Sequence, residues 1–513
     1  MFLYYGYLIM KKTLQIIIKN LLKRKNSTEI IETVANSEIK KTLGLFDLVM
    51  LGVGAIFGAG LFTIIGVATA GSGTTLGAGP AVIVSMIIAV VACVFSALCY
   101  CELACIMPVA GSAYIYTYAT LGEFVAWIVG WLLILEYIIG GIAGAIAWSG
   151  YLFQFLQGFD KYLPHWITNP PIWLITDYST MMKQSADVIN SIPHVFGMPF
   201  SINLPALIFV LLLTLCITRG TKESTIVTTI MVGVKILIAL LFVCTGLFYV
   251  RPENWTPVAP NGFSGICIGA FIIFFAYIGF DAVATVSEEC KKPKRDIPIA
   301  IILSLVICTI VYMAVALVLT GIMPLNEINL EAPIAYALNY IGQTKIAGLV
   351  SLGALAAMTS VNLVMTIAGS RILYAMSRDF YLPSALRVLD KKTSSPNRII
   401  WILALIMFVG VLTTDLTISA ELCNLGTFFS LIIVCIAIPI LRKTEPDVKR
   451  SFKVPFSPFI PILGAIICLG LCISSFKSGS ASTPIFIGYM IVGILFYFCY
   501  SYGKIRRCEN NKK

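Results

Sequence analysis

The sequence predicts an all-α integral membrane protein with 12 transmembrane helices. Three observations carry that prediction: too few charges, a series of long apolar stretches, and a one-sided distribution of basic residues. Of 513 residues, 58% are hydrophobic and 12% are charged, against about 25% charged in soluble globular chains. So few charges cannot cover a soluble surface of this size, so the excess apolar side chains must face lipid. A helical span needs about 20 apolar residues. Such stretches fall at 46–71, 80–105, 122–154, 203–218, 224–250, 264–287, 297–322, 346–376, 398–414, 421–441, 458–476 and 482–502. The fourth and ninth are short, and the third is long enough to tilt or reach into the interface.

The basic residues set the orientation. With both termini in the cytoplasm, thirty of the 36 Lys and Arg residues lie on the inner side. The outer loops hold only Lys161, Lys183, Arg251, Lys345 and Lys477, and Lys235 sits inside a span. This is the positive-inside pattern, and it excludes the reversed topology. The net charge of +11 therefore reflects short inner loops and not a nucleic-acid-binding face. Residues 1–45 read as a basic, partly apolar cytoplasmic segment. Its first ten residues, Met1–Met10, are too short to span. They read as an interfacial stretch, or as sequence ahead of a true start at Met10. No secretory signal with a cleavage site is present, and 503–513 form a cytoplasmic tail. The inner loop 377–397 mixes apolar and basic residues, as a short helix on the membrane surface would. The outer loop 323–345 has a similar apolar-periodic piece around Ile334–Tyr340.

Cysteine and histidine usage narrows the chemistry. Most of the 15 cysteines lie inside apolar stretches, among them Cys93, Cys216, Cys244, Cys308, Cys435, Cys468 and Cys472. They read as small buried hydrophobes, and the spacing supports neither a disulfide framework nor a zinc site. The two histidines, His165 and His194, fall in the long polar loop at 155–203. Histidine-dependent metal or acid–base catalysis within the membrane therefore has no candidate residue. Together with the lack of a G-x-S-x-G stretch, this argues against a membrane enzyme. No cofactor, metal or obligate protein partner is implied.

Two spans carry helix-breaking patterns. The first reads LGVGAIFGAGLF, with Gly52, Gly54, Gly58 and Gly60 close together. Glycine inside a helix costs about 0.5–1 kcal/mol relative to alanine. Two readings stand: close helix packing of the small-xxx-small kind, or a break at mid-membrane. A break frees backbone groups and is tolerated only where they line a cavity or bind a ligand. The outer half-helix would then aim its N-terminus at a carboxylate. The sixth span, FIIFFAYIGFDAVATVSEE, places Gly279 just before Asp281 at mid-span. Interrupted helices at spans one and six are the mark of an inverted repeat with a midplane binding site.

Three ionisable residues lie deep in spans: Glu136 in the third, Lys235 in the fifth and Asp281 in the sixth. Such residues are costly and usually functional. Lys235 is about eleven residues from the inner end of its span, roughly 16 Å at 1.5 Å per residue, which is too deep to snorkel. Its ammonium must be paired or uncharged, so it is either a proton carrier or half of a structural ion pair. Glu136 is open to a purely structural role, an interhelical hydrogen bond. Glu102, near the inner end of the second span, is placed where it can meet water.

These stretches together resemble the amino acid–polyamine–organocation superfamily, and within it the bacterial members of the cationic amino acid transporter family. The resemblance covers about residues 40–505. It is carried by GVGAIFGAGLF (52–62), GWLLILEYIIGGIAGAIAWSGY (130–151), KESTIVTTIMVGVK (222–235), FFAYIGFDAVATVSEECKKPKRDIP (274–298) and SRILYAMSRD (370–379). It implies a 5+5 inverted repeat, helices 1–5 over 46–250 and helices 6–10 over 264–441, followed by two C-terminal helices over 458–502. It implies an amino acid held at the breaks of spans one and six. The carboxylate would meet N–H groups of Gly58, Ala59 and Gly60. The ammonium would meet carbonyls near Ile56 and Phe57 and those of Phe275, Ala276 and Ile278. Lys235 matches a lysine that replaces the sodium ion of sodium-coupled relatives, which favours protons as the coupling ion. Ala59 stands where several relatives have Ser or Thr, so a side-chain hydroxyl is lost there. Met365 matches a position lining the specificity pocket that is small and polar in carriers of cationic substrates. A bulky, adaptable methionine favours neutral or broad substrates, although Glu136 and Asp281 could hold a cationic group. The expected activity is import of amino acids across the plasma (inner) membrane by proton symport. The alternatives are exchange without proton movement and a non-transporting nutrient sensor, though no added soluble domain is present for the latter.

Overall fold

A computed structural model of the chain describes residues 20–25, 41, 43–72, 75–109, 111–160, 162–195, 197–219, 221–330, 332–390, 393, 395–477 and 481–510. The expectations for Met1–Met10 and for most of the N-terminal segment lie outside the described residues. Among the described residues, ten helices are long and apolar enough to cross a membrane. In chain order they are α1 Leu45–Ala70, α2 Gly79–Ile106, α3 Glu123–Gln157, α5 Thr228–Tyr249, α6 Gly262–Thr285, α7 Pro293–Ile322, α8 Thr344–Arg378, α10 Leu416–Thr444, α11 Phe459–Phe476 and α12 Ser482–Arg507. Two shorter apolar helices, α4 Leu204–Thr218 and α9 Asn397–Thr413, stand at the positions of the short fourth and ninth stretches. At 15 and 17 residues they rise about 22 and 26 Å, less than the roughly 30 Å of hydrocarbon that a span must cross.

Burial sorts the helices. The most apolar windows of α1 and α6 are 89% and 83% buried, against 33% for α5 and α11 and 22% for α12. α1 and α6 therefore form the centre of the protein, packed among α2, α5, α7 and α8, while α11 and α12 leave most of their surface for lipid. Small residues permit this. A Cβ on Gly130 would fall 2.7 Å from the Met376 sulfur of α8, and one on Gly144 would fall 2.3 Å from Asn362 Nδ2. The long helices α3 and α8 approach closely only because α3 has glycine at those two positions.

Connections lie where the polar sequence put them. The loop between α3 and α4 holds short helices at His165–Thr168, Tyr178–Met181 and Ala186–Ser191. It is pinned to the start of α10, where Asp415 accepts from Ser179 Oγ at 2.8 Å and Lys183 Nζ at 2.6 Å. The apolar-periodic piece after α7 is a helix, Pro333–Tyr340. The loop after α8 holds only a single 3-10 turn among its described residues, Ser384–Arg387. Glu102 does not meet water: it is fully buried. It accepts a two-pronged contact from Arg442 at 2.6 and 3.0 Å and the Val454 N–H at 2.7 Å. Arg442 stands in the last turn of α10, and Val454 belongs to the α10–α11 connection, which folds back over this end of α2.

Candidate functional site

Both central helices break at the same depth. α1 is regular from Leu45 to Ile56, and Phe57 leaves helical geometry with φ −82° and ψ 88°. The chain resumes as a wide turn, Gly60–Ile64, and a helix, Ile65–Ala70. α6 is regular over Gly262–Ile273 and tightens to a 3-10 turn at Phe274–Tyr277. It opens at Ile278, with φ −63° and ψ 142°, and resumes at Ala282–Thr285. Gly279 sits at φ +109°, a conformation that glycine reaches without strain. The breaks touch: a Cβ on Gly60 would lie 2.2 Å from Ala276 Cα, and one on Gly279 would lie 3.0 Å from the Ala55 carbonyl oxygen. The four glycines of α1 therefore divide their work. A Cβ added to Gly52 or Gly54 would fall 2.7 Å from Ser304 Oγ or 3.1 Å from Thr228 Cγ2 of neighbouring helices, so these two serve packing. Gly58 and Gly60 lie at the break.

A broken helix leaves carbonyls without intrahelical partners at the end of its inner half and N–H groups without them at the start of its outer half. The carbonyls are answered by two side chains. Lys235, on α5 and fully buried, donates to the carbonyls of Gly54 at 2.9 Å and Phe57 at 2.7 Å and to Ser360 Oγ of α8 at 3.0 Å. Its three donors have three acceptors, two of them at the negative end of the inner half-helix. Ser360 in turn donates to the Ala357 carbonyl. Tyr312 of α7 places its hydroxyl 2.9 Å from the Ile56 carbonyl and 3.1 Å from the Ala276 carbonyl, spanning the two breaks. Three carbonyls expected to receive an ammonium thus already have a protein partner, each with a lone pair to spare. The amides of Gly58, Ala59 and Gly60 head the outer half.

A cavity sits at the breaks. Its wall includes Ile56, Gly58, Ala59, Gly60, Phe275, Ile278 and Met365 from the expected set, joined by Ala55, Gly140, Gly144, Met358, Val361 and Cys423. Phe57, Ala276, Asp281, Glu136 and Lys235 do not line it. Phe57 and Ala276 reach it through neighbours in their own breaks. Asp281 and Glu136 lie about one turn along their helices from wall residues Ile278 and Gly140. Asp281 accepts from the Tyr137 hydroxyl at 2.6 Å, and Glu136 Oε1 is buried without a hydrogen-bond partner. The wall itself carries no ionisable carboxyl or amine.

Sequence reading missed Tyr312, Ser360, Met358, Val361 and Cys423. Tyr312 had a signal, a lone hydroxyl-bearing ring deep in an apolar span. The others are side chains whose inward direction depends on helix rotation, which spacing alone leaves open.

Two broken helices meeting around a small cavity in a helical bundle are the arrangement used by secondary transporters of small molecules. The amino acid permease family model matches residues 43–497, and the chain belongs to that family. It is 39% identical to the methylthioribose transporter of Bacillus subtilis over 94% of this chain and 98% of that protein. It is 37% identical to a branched-chain amino acid permease of Bacillus subtilis over the same shares. It is also 37% identical to a chloroplastic cationic amino acid transporter of Arabidopsis thaliana, over 71% of this chain and 60% of that protein. These relatives are transporters and permeases, not enzymes, and the chain is an integral, multi-pass membrane protein.

Proposed function

We propose that this protein imports neutral amino acids with apolar side chains by proton symport across the plasma (inner) membrane, holding them at the breaks of α1 and α6. One observation carries the reading: the cavity at the two breaks is walled by Ile56, Ile278, Met358, Val361 and Met365 and by no carboxylate. Such a wall rewards burial of an aliphatic side chain, at about 25 cal/mol per Å², and leaves a cationic one unpaired. The first amides of the outer half of α1 suit the substrate carboxylate. The spare lone pairs of the Ile56, Phe57, Phe275, Ala276 and Ile278 carbonyls suit the ammonium. Lys235 carries the proton. Glu136 and Asp281, one turn inward, support the inner wall of the site.

Uptake into sealed proteoliposomes tests this against a panel of leucine, alanine, arginine and methylthioribose, with and without an acid-outside gradient. Leucine accumulation that needs the gradient is expected. Gradient-independent exchange would favour the exchanger reading, and preferential uptake of the thioether sugar would replace the substrate assignment. In the same assay Met365→Ser should raise arginine competition by about tenfold, near the worth of one hydrogen bond and the volume released. Unchanged competition removes Met365 from the pocket.

The reading takes all twelve helices as crossings, in a five-plus-five repeat with α11 and α12 added, and both termini cytoplasmic. The charge asymmetry supports it. A reporter fused after Lys513 should read inside and one fused after Asn203 outside. An external C-terminus would overturn the topology.

A further inference from the structure

A second cavity lies inward of the first, on the same helices. Its lining includes Leu43 and Asp47 at the start of α1, Thr285 and Glu289 at the inner end of α6, and Ile367 and Arg371 of α8. The two cavities are stacked. Along α8 the wall passes from Val361 and Met365 in the first to Arg371 in the second, about ten residues and roughly 15 Å of rise. Along α1 it passes from Ile56 back to Asp47. A solute leaving the breaks toward the cytoplasm would cross this space.

Arg371 is the unusual member. Its Nη2 pairs with Glu289 Oε1 at 2.5 Å, and the two side chains are 19% and 24% exposed. Its Nη1 is buried and has no hydrogen-bond partner. A guanidinium presents donors in a planar fork that matches a carboxylate two-pronged, and a buried donor left unmade costs about 1–3 kcal/mol. The arrangement is half-occupied. Asp47 accepts the Gly44 N–H through Oδ2 at 2.9 Å and retains acceptor capacity for an ammonium. The mouth is strapped by backbone: Leu43 N–H donates to the Glu289 carbonyl, and Lys291 N–H donates to the Leu43 carbonyl, each at 3.0 Å.

We propose that this inner cavity is a second substrate site, where Arg371 takes the carboxylate of a departing amino acid and Glu289 is displaced from the guanidinium. The proposal rests on the reading of the chain as an amino acid importer. In it Glu289 is a competitor for the fork, held in place when the site is empty. Arriving zwitterion exchanges for Glu289, the strap at Leu43 loosens, and the solute passes to the cytoplasm. Nothing is transferred covalently.

A simple latch would behave differently, because removing either partner would break the same ion pair and give the same phenotype. The handover predicts opposite effects. With purified full-length protein, leucine affinity is measured by thermal shift and turnover by proteoliposome uptake. Arg371→Gln should lower turnover about tenfold, the scale of one charge-assisted contact, with leucine affinity at the breaks within twofold of wild type. Arg371→Lys, which keeps the charge but not the fork, should fall between the two and carries the test if the Gln variant does not fold. Glu289→Gln should hold or raise turnover. Parallel loss, or parallel gain, in the Arg371 and Glu289 variants overturns the proposal. Failure of wild-type protein to bind or take up any amino acid would instead fail the importer reading, and the two failures are separate results.

Discussion

Lys235→Gln should abolish accumulation of substrate driven by an acid-outside gradient, bringing the internal concentration down to the external one, while substrate binding changes less than about tenfold. The geometry gives the reason. The Lys235 ammonium fills three positions at once, the Gly54 and Phe57 carbonyls and Ser360 Oγ. It thereby ties the end of the inner half of α1 to α8. A neutral amine has one donor fewer and no charge to set against the half-helix's negative end, so loss of the proton loosens that tie. Protonation from the outside would hold α1 against α8 over a loaded site, and release of the proton inside would let the inner half of α1 move. Glutamine keeps donors for two of the acceptors but cannot cycle a proton. Arginine should also fail, because it stays charged at any accessible pH and its planar fork does not fit a tripod of acceptors 2.7–3.0 Å from a single nitrogen. A purely structural lysine predicts otherwise: the variants would lose binding or folding together, or all would transport normally. Gradient-driven accumulation by the Gln variant ends the proton-carrier assignment.

Much of this was legible in the sequence because it depends on local pattern. Glycine spacing in the first span and Gly279 before Asp281 pointed to a break at each, and the depth of Lys235 required that its ammonium be paired or uncharged. What escaped depends on contacts between distant segments. Ser360 and Tyr312 complete the polar bridging of the breaks, yet a hydroxyl in an apolar span gives no sign of which way its helix is rotated. Glu102 sits near the water end of α2, but Arg442 and Arg450 arrive from more than 300 residues away to cover it. Asp281 and Glu136 are legible as ionisable residues inside apolar spans, and only the folded arrangement shows them off the cavity wall. The short α4 and α9 were legible as short, since length is a local property.

Gly60→Ala should be the most damaging single-methyl change at the two breaks. The added Cβ would fall 2.2 Å from Ala276 Cα, 2.6 Å from Ala276 Cβ and 3.0 Å from Ala276 N. All three atoms are held by the backbone of the α6 break, so no rotamer change relieves them. The breaks would have to separate, which moves the Ala59 and Gly60 amides away from the Ile278 side of the cavity. Overpacking of this kind costs about 1–3 kcal/mol, and if it falls on the bound geometry it weakens substrate binding about tenfold or more. Gly58→Ala meets a softer obstacle, the Val361 side chain at 2.5 Å, and should weaken binding less. It should also be repaired in part by Val361→Ala, because the two changes share one contact. Valine at either position adds a branched side chain beside the carboxylate amides and should abolish binding. Affinity is read by the ligand concentration dependence of the melting temperature, which separates it from stability. If Gly60→Ala lowers the melting temperature without changing affinity, the glycine serves only helix packing, and the carboxylate is held elsewhere.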